Sequence, residues 1–322
     1  MNLLILGGTK FLGRHAVDAA LADGHDVTIF TRGQTNPDLY PEVEHLTGDR
    51  DGALGALEGR TWDAVVDTSG YVPRIVRQSA ELLRDAVGRY VFVSSISVYD
   101  DFSRPIEEST PVAQLEDPAT EEIMEYYGAL KAACETVIDE VYGDRGANVR
   151  AGLIVGPYDP TDRFTYWPRR IAAGGDVLGP GDPDAPVQFV DARDLGAWLV
   201  KLALDGPGGT FNATGPAERL TFRELLDRAT TVIGSDAKVV WVEEQIVLDA
   251  GIEGWSELPL WLPGADYAGM AQADTQRARA AGLTFRPLEE TVVDTLAWDR
   301  TVESDRPTLT REKERVALDA AA

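Results

Sequence analysis

The chain has 322 residues, 54 of them Asp or Glu against 30 Lys or Arg, for a formal charge of -24; that length buries a full core and suits one larger domain carrying a smaller lobe. So acidic a chain, with no basic cluster interleaved with aromatics, repels phosphate backbones, which argues against nucleic acid as a partner. The single cysteine, Cys134, permits neither an intrachain disulfide nor a zinc cluster and fits a cytoplasmic setting, while the opening MNLLILGG is too short for a signal segment and no later run approaches the ~20 apolar residues of a membrane span.

In chain order, short apolar runs alternate with helical periods. Strands are expected over 3–6, 26–30, 44–46, 64–67, 90–93 and 149–155, with helices over 12–23, 72–87 and 123–142. Strands that are nearly all apolar, as in VVD and YVFV, belong to a sheet covered on both faces. The fold class is therefore α/β, a doubly wound parallel sheet, with ligands at the carboxyl ends of its strands. Gly/Pro-rich connections, GPYDPTD and GPGDPDAP, then break the rhythm before a helix over 192–204 and a strand over 210–213, which return to the main sheet. This divides the chain into a sheet domain over 1–155, with 186–214 returning to it, a substrate lobe over 156–185 and 215–302, and a polar, helix-compatible tail over 303–322.

The first strand runs into LGGTKFLG, Leu6 to Gly13, which opens a helix, so that its amides and the helix dipole can face a pyrophosphate. Gly7 makes the tight turn, Gly13 lets helix and strand pack closely, and Thr9, Lys10, Phe11 and Leu12 lie between them. Lys10 stands where a middle glycine is usual. About twenty residues on, an NAD-selective site would place an acidic side chain, and this chain has Thr31-Arg32-Gly33 instead. Arg32 offers a planar fork for a 2′-phosphate and Lys10 a second positive charge, so NADP(H) is favoured, with NAD(H) as the alternative; the bland reading is that Arg32 only stacks on adenine and Lys10 points to solvent. Asp49, in GDRD, is either an acceptor for the adenine amino group or a turn residue. Thr68, Ser69 and Gly70, after the fourth strand, lie where hydroxyls and backbone would meet the diphosphate and ribose.

Further along, EYYGALKAACE sets Tyr127 and Lys131 four apart, hence on one face of a helix. A phenol with a pKa near ~10 exchanges protons poorly at neutral pH, and an ammonium nearby stabilises its phenolate. Tyr127 would then exchange the proton on a substrate oxygen while Lys131 also holds the nicotinamide ribose; Tyr126 is the competing residue. Upstream, YVFVSSISVYD delivers Ser94, Ser95 and Ser97 to the end of a strand, and Ser95 is the one chosen to orient the substrate oxygen. His15, His25 and His45 read as surface or packing residues, which leaves no metal site and no His-based catalysis.

LGGTKFLG, FVSSISVY and YGALK, in this order and spacing, resemble the extended short-chain dehydrogenase/reductases of the epimerase/dehydratase group. The GGTKFLG variant resembles a branch with bacterial reductase-like proteins and chloroplast stem-loop-binding proteins. GLIVGPYDP, VQFVDARDL and ADTQRARAAGLTFRPLEET extend the resemblance over most of the chain. It implies a Ser95, Tyr127 and Lys131 catalytic set and cofactor contacts that include Ser94, Tyr127, Lys131 and Ile154. The implied activity is hydride transfer between NADP(H) and the carbonyl or secondary alcohol of a small-molecule substrate, as an oxidoreductase or epimerase, and a homodimer is compatible with it. Nucleotide-sugar members carry an Asn where Leu153 stands and an Arg where Val187 stands, so two diphosphate anchors are missing. A nucleotide-sugar epimerase or dehydratase is thus the alternative, together with a non-catalytic dinucleotide-binding, RNA-associated scaffold. The acidic stretch 105–125 would further discourage anions if it lies at the pocket mouth, and is otherwise a solvated face. Arg163, Tyr166, Trp167, Gln188 and Trp261 are substrate-lobe candidates by position.

Overall fold

The computed structural model describes residues 1–302 and 309–321. Seven parallel strands form the central sheet: β1 (Asn2–Leu6), β2 (Asp26–Thr31), β3 (Glu44–Thr47), β4 (Trp62–Asp67), β5 (Val87–Ser95), β6 (Gly146–Ala151) and, after three strands of the lobe, β10 (Gly209–Ala213). Their order is β10-β6-β5-β4-β1-β2-β3, which reverses direction between β1 and β4 and opens a crevice at their carboxyl ends.

Leu3 to Leu6 are fully buried, and the pleat explains why the run has no polar alternation. Leu3 and Ile5 pack under α1 (Phe11–Ala22) and α5 (Ala192–Asp205), whereas Leu4 and Leu6 pack under α2 (Pro73–Leu83) and α3 (Ile123–Tyr142). The second helix is shorter than the sequence suggests, because the fifth strand already begins at Val87.

The single strand expected over 149–155 is two. β6 ends at Ala151, and β7 (Ile154–Val155) joins a separate three-stranded sheet with β9 (Pro186–Asp191) and β11 (Gly215–Thr221). The break falls at Gly152, where a Cβ would lie 2.3 Å from Thr214 Oγ1, so the chain crosses there only without a side chain. Likewise 186–191 belongs to the small sheet, and only α5 and β10 return to the large one.

A second apolar core gathers around α4 (Tyr166–Ala172), the parallel pair β8 (Asp176–Pro180) and β12 (Lys238–Val242), α6 (Phe222–Ile233) and α9 (Leu288–Asp299). Of the polar tail, 303–308 and 322 lie outside the described residues, and the rest carries α10 (Arg311–Ala320). That helix is docked on the lobe, with Glu314 buried against Arg170 at 2.8 Å. Among the described residues no helix is long and apolar enough to cross a membrane.

Candidate active site

The crevice begins with backbone geometry. Gly7 and Gly8 have φ of 110° and 101°, in the left-handed region that favours glycine. A Cβ on Gly13 would sit 2.6 Å from Gly8 N, and one on Gly7 would sit 2.3 Å from Thr68 Oγ1. Gly8, not singled out in the sequence, is thus the partner that Gly13 packs on. The helix that follows starts at Lys10 with no side-chain cap and no acidic residue in its first turn, so its leading N–H groups and positive dipole end are unopposed. Thr9 is buried, and its carbonyl accepts from Asn36 Nδ2 at 2.7 Å. Leu12 points into the core, and the Phe11 ring meets His15 edge-on, so these two offer the crevice only backbone. Lys10 and Arg32 are exposed and join no ion pair among the described residues.

The rim at the ends of β3 and β4 is more rigid than expected. Asp49 Oδ1 accepts the Asp51 N–H at 3.0 Å, so one oxygen serves a turn. Its neighbour Arg50 is buried and forks onto Asp67 at 2.7 and 2.8 Å, while Tyr90 OH donates to the same carboxylate at 2.7 Å. Asp67 also accepts the Ser69 N–H. The Thr68 and Ser69 hydroxyls, read from the sequence as facing a diphosphate and ribose, instead donate to Leu6 O at 3.1 and 3.2 Å. The same carbonyl also accepts the Thr68 N–H at 3.0 Å, so both hydroxyls add to a backbone bond already made where β1 and β4 part. The only sequence signal for the Arg50–Asp67–Tyr90 cluster was an aspartate ending an otherwise apolar strand.

Lys131 is buried under this rim. Its Nζ donates to Gly70 O and Val93 O, both at 2.6 Å, and lies 4.4 Å from the Phe92 ring centroid and 5.0 Å from that of Tyr71. Burial pulls its pKa down to about 8. On the same helix, burial raises the Tyr127 phenol above its ordinary value, and the neighbouring Ser95 and the charge of Arg163 pull it partly back. The Lys131 ammonium is taken up by the two carbonyls. Ser95 Oγ accepts the Ser97 N–H at 3.1 Å, which leaves the hydroxyl proton to be given away. The Ser94 hydroxyl beside it is buried without a hydrogen-bond partner among the described residues.

Tyr126 and Tyr127 are separated by a kink: Tyr126 has φ -113° and ψ 27° inside the helix, and its side chain is exposed, with the neighbouring Glu125 raising its phenol pKa. Two contributors were not foreseen. A Cβ on Gly128 would lie 2.0 Å from Ser97 O, so the glycine of YGALK is what lets the helix press on the serine turn. Tyr71, its ring 6.4 Å from that of Tyr127, forms part of the opposite wall.

The lobe candidates separate. Tyr166, Trp167 and Trp261 are core residues. Gln188 clamps the backbone of Ala273 through both ends of its amide, at 2.9 and 3.1 Å. Arg163 is exposed on the connection after β7. Ile154 starts β7 and packs partly on the main core, Leu153 packs on the second core, and Val187 is buried at the edge of a cavity of about 490 Å³ that also borders Glu107, Gln188, Arg219, Asp274 and Arg279. Within 105–125, Glu121 pairs with Arg74 and Glu108 accepts the Asn212 N–H, so part of that acidity is used internally.

A parallel sheet with its crevice at a strand-order reversal, a glycine cradle below an uncapped helix and a Tyr-Lys helix beside it define a dinucleotide-dependent α/β enzyme. The chain belongs to the NAD dependent epimerase/dehydratase family, which it matches over residues 3–213, and is an NAD(P)-dependent enzyme of the extended short-chain dehydrogenase/reductase type. It is 26% identical over 212 residues to the chloroplast stem-loop binding protein of 41 kDa b of Arabidopsis thaliana, a match covering 60% of this chain and only 53%, about half, of that protein's length. It is 26% identical over 280 residues to the ceramide reductase of Caulobacter vibrioides, covering 79% of this chain and 78% of that one. The UDP-glucuronic acid 4-epimerase from Bacillus cereus, solved in complex with NAD, superposes with a TM-score of 0.65 at 16% identity, covering 94% of this chain and 99% of the other, which shows the shared fold.

Proposed function

We propose that this protein transfers hydride between NADP(H) and a carbonyl or secondary alcohol of a small molecule. Tyr127 exchanges the proton on the substrate oxygen, Ser95 orients that oxygen, and Lys131 holds the nicotinamide ribose. The observation that carries this reading is the helix of Tyr127 and Lys131 pressed onto the serine turn at Gly128, with Lys131 buried. The residues fit the cofactor: the cradle has no room for a Cβ at Gly13, the helix N-terminus is unopposed, and the Ser94 hydroxyl lacks a partner among the described residues. Lys10 and Arg32, both unpaired among the described residues, would hold a 2′-phosphate, which supports NADP(H) over NAD(H). When bound, the nicotinamide supplies or accepts the hydride.

Because burial keeps the proton on Tyr127, the phenol is ready to protonate an alkoxide developing at the substrate oxygen, the reductive direction. Ser95, its oxygen already accepting from Ser97 N–H, donates to the same oxygen. Leu153 and Val187 are both taken up in apolar packing, which supports a substrate without a nucleotide diphosphate.

The test is NADPH oxidation across a panel of aldehydes, ketones and nucleotide sugars. Tyr127→Phe is expected to lower turnover of any accepted carbonyl by about 10²- to 10⁴-fold, with NADPH affinity near the parental value. Near-parental turnover in that variant would remove the site assignment. Tight NADP(H) binding with no turnover of any panel member would favour a dinucleotide-binding scaffold, and strong turnover of a UDP-sugar would favour the sugar-nucleotide alternative.

A further inference from the structure

The rim of the crevice contains a buried ion pair that neither the cradle nor the proton-transfer residues require for themselves. Arg50 and Asp67 are 9% and 0% exposed. Taking two charges so far out of water costs more than their attraction returns unless further hydrogen bonds engage them. Here both terminal nitrogens of the guanidinium and both oxygens of the carboxylate are engaged. Arg50 forks onto Asp67 and also donates to Ser79 Oγ at 2.6 Å and Ser69 Oγ at 3.4 Å. Asp67 accepts from Tyr90 OH as well, and burial and this carboxylate hold the Tyr90 phenol well above its ordinary value, so that it stays a donor. Packed apolar side chains often serve as well as such a pair at a strand end, so its use lies in what it holds.

It holds the turn that receives Lys131. Asp67 Oδ1 accepts the Ser69 N–H at 3.0 Å, and the carbonyl of the next residue, Gly70 O, accepts from Lys131 Nζ at 2.6 Å. Gly70 is also pressed onto the same carboxylate: a Cβ there would lie 3.1 Å from Asp67 Oδ2, 2.6 Å from the Phe92 ring and 2.8 Å from Val76 Cγ2. An unbroken series of contacts thus runs from Arg50 through Asp67, Ser69 and Gly70 to the ammonium. The charged and titratable groups around that ammonium are Asp67 at the end of β4, Arg50 after β3, Cys134 and Glu135 on its own helix, and Tyr71, which turns a ring face to it. Burial pushes the Cys134 thiol up to about 12 and raises the Tyr71 phenol, so both are uncharged at neutral pH, and Glu135 is countered by the buried Arg150 at 2.7 Å. Asp67 and Arg50 remain as the opposed charges whose balance bears on Lys131.

We propose that Asp67, locked by Arg50, is a positioning residue for Lys131, fixing through the Gly70 carbonyl the place from which the ammonium holds the nicotinamide ribose. This rests on the reading above, in which Lys131 holds that ribose. The two halves of the pair act on Lys131 in opposite senses, since a nearby carboxylate favours the ammonium and a nearby guanidinium disfavours it. In the parent they offset one another, and burial leaves Lys131 with a pKa of about 8. Cofactor affinity therefore has an alkaline limb: it is full while the ammonium is charged and falls as the pH rises through that value.

The experiment follows NADPH affinity against pH by fluorescence titration for the parent, Lys131→Met, Asp67→Asn, Arg50→Gln and Arg50→Lys, with folding of each checked by circular dichroism. Asp67→Asn leaves the guanidinium uncompensated and is expected to move the limb to lower pH by about one unit, whereas Arg50→Gln leaves the carboxylate and is expected to move it up by about as much. A pair that only braced the fold would weaken both variants alike and leave the limb in place. Arg50→Lys keeps the charge and loses the fork, so its limb is expected at the parental pH with affinity about fivefold lower, the scale of one hydrogen bond. A limb that stays put in both charge-changing variants, or moves the same way in both, overturns the proposal. Parental affinity in Arg50→Lys overturns it too, and that variant decides alone where the charge-changing ones do not fold. A parent without a limb, or a Lys131→Met that binds as the parent does, removes the ribose role of Lys131 and with it the proposal. A limb lost in Lys131→Met but unmoved in Asp67→Asn and Arg50→Gln removes the positioning role alone, so the two failures are told apart.

Discussion

In the sheet domain, the cradle takes its shape from backbone alone: two left-handed glycines, a third with no room for a Cβ, and a helix end with nothing capping it. In the lobe, the connection that bears Arg163 depends on side chains brought from residues 159, 169 and 299, each fixing the next. The first kind of structure is written in consecutive residues, and the second exists only after long-range packing. The difference teaches which substitutions should act locally and which should act through the fold.

The largest contrast is expected at Trp167. Read from the sequence as a substrate-lobe candidate, it is 1% exposed, packed edge-on against Phe222 at 5.0 Å. Trp167→Ala should lower stability in denaturant unfolding by about 3–5 kcal/mol yet leave NADPH affinity close to parental under native conditions. Unchanged stability would return Trp167 to the list of pocket residues and blur the division between the two regions.

A smaller effect, and one that depends on pH, is expected at Lys131. Burial holds its folded-state pKa at about 8, below the unfolded value of about 10.4. Between these values the unfolded chain binds more protons than the folded one, so stability rises with pH through this window. The ammonium therefore costs stability while it is charged. The melting temperature of the parent, taken relative to Lys131→Met, should climb from pH 7 to pH 10, and a flat difference would show that the charge is not desolvated.

The smallest effect belongs to the exposed edge of the cradle. Arg32 joins no ion pair among the described residues, so Arg32→Ala should leave stability unchanged, weaken NADPH about tenfold, the scale of one charge-assisted contact, and leave NADH nearly unaffected in fluorescence titrations. Equal weakening of both cofactors would point to stacking on adenine rather than to recognition of a 2′-phosphate.

Much of the sheet domain was legible because its signals are local. LGGTKFLG, the apolar strand runs and the Tyr127–Lys131 spacing each state a backbone or helix-face requirement within about ten residues. What could not be read was set by partners far away. The run over 149–155 looks continuous until Thr214 closes on Gly152, and Thr68 and Ser69 look like ligand groups until Leu6 O claims their hydroxyls. The helix spacing placed Lys131 beside Tyr127 but not its ammonium, which the carbonyls of Gly70, after β4, and Val93, in β5, hold. In the lobe, Tyr166, Trp167 and Trp261 share the residue types of a ligand wall and of a core, and only packing separates the two.

The pair between Arg170 and Glu314 has a consequence for the order in which the chain folds during synthesis. The large sheet has all seven of its strands once residue 213 has been made, but the lobe buries the Arg170 guanidinium, and the Leu178 N–H beside it, against a carboxylate 144 residues later than Arg170. A buried cation without its counter-charge is strongly unfavourable. The nascent lobe must therefore keep α4 and the start of β8 open to water after the sheet has formed, and it closes last, when α10 arrives. During that interval Trp167, Phe164 and Phe222 are the apolar surface a chaperone would meet.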